Sequence, residues 1–208
     1  MTHVIELPAG EEACPGVVIL HEWWGVNDQM HVTAKRFAEE GFVALVPDLY
    51  EGKVIPIGQA DAARAAMNAL SFPDAVREID EAVQALRAHP RCNGKVAITG
   101  FCMGGALTLA SAVNVRGLAC TVPFYGLPGD LDWSKIDAPV QAHFAQHDDW
   151  ATVAGAQTIK DAVRVPMELH VYDAQHAFCN DQRPDVYNAD ACRQAWGRAV
   201  AFIRAHTA

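Results

Sequence analysis

The amino-acid sequence predicts an α/β fold, a mostly parallel central sheet with helices on both faces. Three observations carry this. Short runs rich in Val, Ile and Leu recur along the chain between turn residues. They are continuously apolar rather than alternating, as in strands covered on both sides. Between them lie segments with apolar residues at helical spacing, so strand and helix alternate almost end to end.

The expected strands are Gly16 to Leu20, Phe42 to Val46, Lys95 to Thr99, Leu118 to Phe124, Val140 to Ala145 and Met167 to Tyr172. The first helix, Asn27 to Glu40, places Val32, Phe37 and Ala38 at helical spacing, and Gly41 follows as a stop. Ala60 to Leu70 and Asp74 to Ala88 form a helical pair, with Phe72-Pro73 expected as the break. Gly104 to Val113, Ala154 to Val163 and Asp190 to Ala205 complete the set. The 208 residues suit one domain, 1–208, without repeats or linkers.

The formal net charge is −9. An acidic surface repels phosphate backbones and anionic headgroups, so neither nucleic acid nor a membrane is expected as partner. The first ten residues lack the long apolar run of a secretory signal, and no stretch is apolar enough to span a bilayer. A cytoplasmic protein, monomer or homodimer, is the expectation. The six cysteines are scattered without a C-x-x-C pair and are expected as free thiols.

Ligands bind beyond the carboxyl ends of strands in such sheets, so the residues just after each strand matter most. After Lys95 to Thr99 comes Gly100-Phe101-Cys102-Met103-Gly104-Gly105, then an apolar helix. This is G-x-nucleophile-x-G with cysteine at the centre. A strand turning sharply into a helix strains the residue at its tip, and side chains at Gly100 and Gly104 would strike the neighbouring elements. The helix N-terminus favours a thiolate at Cys102, and the Met103 N–H points to where an oxyanion would form. A buried structural thiol is the competing interpretation. A phosphate loop is not, because neither G-x-x-x-x-G-K-[ST] nor G-x-G-x-x-G occurs.

A nucleophilic thiol needs a base, and the base an orienting acid, supplied in that fold from loops after later strands. Val140 to Ala145 leads into Gln146-His147-Asp148-Asp149-Trp150, and Met167 to Tyr172 into Asp173-Ala174-Gln175-His176. Asp148 and Asp149 compete for the acid role. His143 and His147 straddle a strand and its end, which suits no metal site, and the chemistry calls for no cofactor. After the first strong strand comes His21-Glu22-Trp23-Trp24-Gly25. The Trp23 N–H is expected as second oxyanion donor, with Glu22 near the Cys102 thiol, able to accept its proton.

These residues resemble the dienelactone hydrolase family, or carboxymethylenebutenolidases. The matching pieces are HEWWG at 21–25, VPDLY at 46–50, NGKVAITGFCMGG at 93–105, PFYG at 123–126, HDDW at 147–150 and QHAF at 175–178. The resemblance implies an α/β-hydrolase fold without a large lid and cleavage of a small ester or lactone. It further implies a Cys102–His176–Asp148 triad whose thiol is held by Glu22, with Trp24, Tyr125, Trp150 and Phe178 lining the pocket. The family holds a substrate carboxylate with arginines. One of those positions is Asn180 here, Arg64 does not align cleanly with the other, and Arg183 stands nearby in sequence. A thiol-based redox or electrophile-binding protein on the same scaffold is the alternative.

Overall fold

The computed structural model describes residues 3–208. Seven strands form one sheet: β1 (His3–Glu6), β2 (Cys14–Leu20), β3 (Val43–Pro47), β4 (Cys92–Phe101), β5 (Thr121–Phe124), β6 (Val140–His147) and β7 (Met167–Gln175). Six α-helices intervene: α1 (Asp28–Glu39), α2 (Ala60–Ala69), α3 (Phe72–Arg87), α4 (Met103–Asn114), α5 (Val153–Ala162) and α6 (Ala189–Thr207). The sheet order is β1-β3-β2-β4-β5-β6-β7, parallel throughout except for β1, which runs antiparallel to β3.

Both faces of the sheet are covered, and the alternation along β2 shows how. Val17 and Ile19 pack with Phe37 of α1 and with Ala199 and Ile203 of α6. Val18 and Leu20 pack on the other face with Ile79 and Leu86 of α3 and Leu107 of α4. Two-sided burial is why the chain is continuously apolar from Val17 to Leu20 in β2 and from Val43 to Pro47 in β3. Helix α4 is buried at nearly every residue, which accounts for an apolar sequence all round rather than a stripe.

Three expectations need correction. Strand β1 was not foreseen: it is a four-residue edge strand, half exposed, and its HVIE sequence carries too short a pattern to read. The break between α2 and α3 falls at Leu70–Ser71, not at Phe72-Pro73. Ser71 caps α3, its Oγ accepting from the Asp74 N–H at 3.4 Å, and Pro73 sits in the first turn, where a missing N–H costs nothing. Finally, the cysteines are not all free. Cys179 and Cys192 form a disulfide, because the loop after β7 folds back over the start of α6 and brings their Cα atoms to 4.8 Å. Gly41 does end α1 with a positive φ of 93°, donating to the Ala38 carbonyl at 2.9 Å. Among the described residues, no helix is long and apolar enough to cross a membrane.

The connections run outward in one direction from β2 to β3, then cross back to β4 and continue the other way. The switch therefore lies between the carboxyl ends of β2 and β4, where a crevice opens. Register places Leu20 beside Gly100, Phe101 beside Phe124, Phe124 beside His143, and His147 beside Gln175. The first one to three residues after each strand (Glu22 and Trp23, Cys102, Tyr125, Asp148, His176) are thus delivered to one edge of the sheet.

Candidate active site

Cys102 occupies the tip between β4 and α4 with φ 56° and ψ −115°, a conformation strained for any residue with a side chain. The surroundings hold it there. Its N–H donates to the Phe124 carbonyl at 3.1 Å and its carbonyl accepts from the Ala106 N–H at 3.0 Å. A Cβ on Gly100 would strike the Gly104 carbonyl, and one on Gly104 would strike the Leu20 carbonyl. Both glycines are therefore required by space: helix α4 starts directly against the end of β2.

The Cys102 Sγ lies 3.1 Å from His176 Nε2, and His176 Nδ1 lies 2.6 Å from Asp148 Oδ2. The other carboxylate oxygen, Oδ1, accepts from the N–H groups of Trp150 and Ala151, each at 2.9 Å. Asp148 is thereby fixed on the β6–α5 loop with its side chain wholly buried, whereas Asp149 is exposed. Geometry separates two neighbours that the sequence leaves equivalent. Burial opposes a charge on His176, but hydrogen bonds to Asp148 and Cys102 outweigh it and raise the ring to about 10. For Asp148, burial opposes the charge too, and the bond to His176 overcomes it, leaving the carboxyl below its usual range.

Glu22 is buried at the end of β2, with its carboxyl raised by desolvation against the opposing effect of its hydrogen bonds. Those bonds come from Asn180 Nδ2, at 2.8 Å to Oε2, and from the Tyr125 hydroxyl, at 3.3 Å to Oε1. Glu22 makes no hydrogen bond with Cys102 among the described residues; the sulfur faces the imidazole instead. Asn180, noted from sequence as a position without arginine, is the residue whose part went unforeseen. A fully buried amide on a polar loop is its only signal, and that signal exists only in the structure.

The Trp23 and Met103 N–H groups have no acceptor among the described residues, and Met103 is the first residue of α4, where no intrahelical partner exists. Trp24 is almost wholly buried but borders the cleft; Trp150 is 55% exposed at its mouth, packing edge-on to Trp23 at 5.3 Å and against His176 at 5.9 Å. Tyr125 and Phe178, expected at the pocket wall, are both fully buried beneath it, stacked edge to face at 5.2 Å. Tyr125 supports the site from below, 5.3 Å from the His176 ring. His143 and His147 point to different partners: His143 is buried between Tyr172 and Gln141, and His147 is exposed beside Asp173.

Above His176 opens a cleft of about 700 Å³ whose lining includes two arginines. Arg64 of α2 stands 5.8 Å from the Trp150 ring. Arg183, from the loop after His176, is paired with Asp185 through two bonds of 3.0 and 2.6 Å. The failed alignment of arginines in sequence therefore does not leave the cleft without cations.

Compared with known proteins, residues 1–207 match the sequence profile of the dienelactone hydrolase family. The chain belongs to that family. It is 34% identical over 206 residues to protein usf of Aquifex pyrophilus, covering 91% of this chain and 87% of the relative. It is 32% identical over 213 residues to a carboxymethylenebutenolidase of a Pseudomonas species, covering 96% and 88%. Among solved structures, a candidate dienelactone hydrolase of Klebsiella pneumoniae superposes with a TM-score of 0.87 at 24% identity, covering 97% of this chain and 92% of that one. A dienelactone hydrolase-like promiscuous phosphotriesterase from metagenomic libraries gives 0.83 at 24% identity, covering 99% and 92%. The fold is that of the α/β-hydrolases, and the family makes the chain a hydrolase.

Proposed function

We propose that this enzyme hydrolyses a small carboxylic ester or lactone through a Cys102–His176–Asp148 triad and a thioester intermediate. The observation that carries it is the hydrogen-bonded chain from Cys102 Sγ through His176 to the buried Asp148 carboxylate, at the tip of a glycine-flanked bend. The substrate carbonyl oxygen faces the N–H groups of Trp23 and Met103. The thiolate adds to the carbonyl carbon, the alcohol oxygen departs with a proton from His176, and a thioester remains. His176, oriented by Asp148, then takes a proton from water, whose oxygen attacks the thioester. The acid is released and Sγ is restored.

In this scheme the Cys102 thiol gives its proton to His176, which it already faces, while Glu22 stays bonded to Asn180 and Tyr125. The sulfur-to-imidazole contact corresponds to the reactive arrangement. The name of the Pseudomonas relative, carboxymethylenebutenolidase, supports a lactone as substrate class. Arg64, which makes no ion pair among the described residues, favours a substrate that also carries a carboxylate, since charge-assisted bonds are the strongest such a cleft can offer. Cys102→Ala should abolish hydrolysis of an activated aryl ester, and mass spectrometry of the quenched wild-type enzyme should find the acyl group on Cys102. Wild-type rates in the alanine variant would overturn the proposal.

A further inference from the structure

We infer that His21 is a positioning residue that aims the Trp23 N–H into the oxyanion site. This rests on the assignment of Trp23 as an oxyanion donor. The peptide joining Glu22 to Trp23 is planar and trans, so its carbonyl and its N–H point in opposite directions. Whatever pins the Glu22 carbonyl therefore sets the direction of the Trp23 N–H. Two donors pin it: His21 Nδ1 at 2.6 Å and the Gly25 N–H at 3.2 Å.

The imidazole is itself fixed from the other side. Its Nε2 accepts from the Leu49 N–H at 3.3 Å, so Nε2 carries no hydrogen. The hydrogen must sit on Nδ1, directed at the Glu22 carbonyl. Burial, with no part of the residue exposed, keeps the ring neutral and pushes its pKa down against the pull of the Glu22 carbonyl and Asp48. A neutral ring is required, because an imidazolium could not accept from Leu49.

The turn also rests on the platform that carries the other donor. The carbonyls of Leu20 and His21 lie in the space that a side chain on Gly104 would fill, against the first turn of α4. Tyr50, beside Leu49, packs edge-on to the His21 ring at 4.9 Å, and its hydroxyl lies 3.3 Å from Met103 Sδ. His21 thus joins the loop after β3, the turn after β2 and the start of α4 into one support for both N–H groups. Its ring touches no reacting atom, so its action is through Trp23.

Asparagine and glutamine separate this role from simple packing, since the side-chain amide of Asn falls near the place of Nδ1 and that of Gln near Nε2. His21→Asn keeps the bond to the Glu22 carbonyl and loses the one to Leu49; His21→Gln does the reverse. With an aryl ester, His21→Asn should keep kcat within about threefold of wild type, while His21→Gln should lose tenfold or more in kcat at unchanged KM. Equal kcat in the two variants, both folded by thermal unfolding, would overturn the inference. In the wild-type enzyme, long-range ¹H–¹⁵N NMR should find the hydrogen of the His21 ring on Nδ1. A hydrogen on Nε2 would defeat the proposal even if neither variant folds. Failure here leaves the triad untouched, which Cys102→Ala tests separately.

Discussion

Asp148 and Asp149 show how much a single residue's place decides. They are adjacent and chemically identical, yet one has its side chain buried with both oxygens occupied and the other faces the cleft mouth. Asp148→Asn should lower kcat by about 10² to 10⁴, because an amide can hold His176 in the wrong tautomer and cannot stabilise its charge. Asp149→Asn should leave kcat within about twofold, as a solvated surface change does. Steady-state kinetics on one ester checks both. The meeting of Cys102 with His176 was legible in the sequence, because a strand-bend-helix motif and chain order point to it. Tyr125 and Phe178 were legible as aromatic neighbours of the site, but sequence placed them on its wall when they lie under its floor. Which way a side chain faces depends on the register of the neighbouring strand.

At the scale of the element, the bend between β4 and α4 is tightly constrained by its neighbours. Gly104 lets α4 start against the backbone of β2, and a methyl group there meets the Leu20 carbonyl, which cannot move without displacing a central strand. Gly104→Ala should therefore destabilise the protein by about 3 kcal/mol or more, the upper part of the usual overpacking range. Urea unfolding measures it, and a loss below about 1 kcal/mol would show that the helix can shift. The element boundaries that sequence missed share a cause. Pro73 reads as a break in a linear pattern but is harmless in a capped first turn. Strand β1 reveals itself only by pairing with β3, a contact some 40 residues away in sequence.

Across the whole molecule, His176 and the Cys179–Cys192 link bear on stability. The His176 ring is raised from 6.5 to about 10, so its interactions stabilise the fold fully below about pH 6.5 and are lost as pH rises through about 10. The difference in unfolding free energy between the wild type and His176→Gln should accordingly narrow over that window. Denaturant titrations at its two ends test this, and a constant difference would contradict it. The Cys179–Cys192 disulfide closes a loop of sequence separation 13. Cys192→Ser should cost about 3 kcal/mol by restoring entropy to the unfolded chain. Calorimetry with and without reductant should lower the wild-type Tm and leave that of the variant unchanged.

By itself the sequence determined the layer architecture, the order of elements from β2 onward and the chemical types at the strand ends. Those follow from local properties: hydrophobic period, turn residues and the identity of each side chain. Only the tertiary structure decided which aspartate meets the imidazole, that Asn180 and Tyr125 hold Glu22, that two arginines share the cleft, and that two distant cysteines meet. Each of these is governed by strand register and by the path of loops that carry no periodic signal.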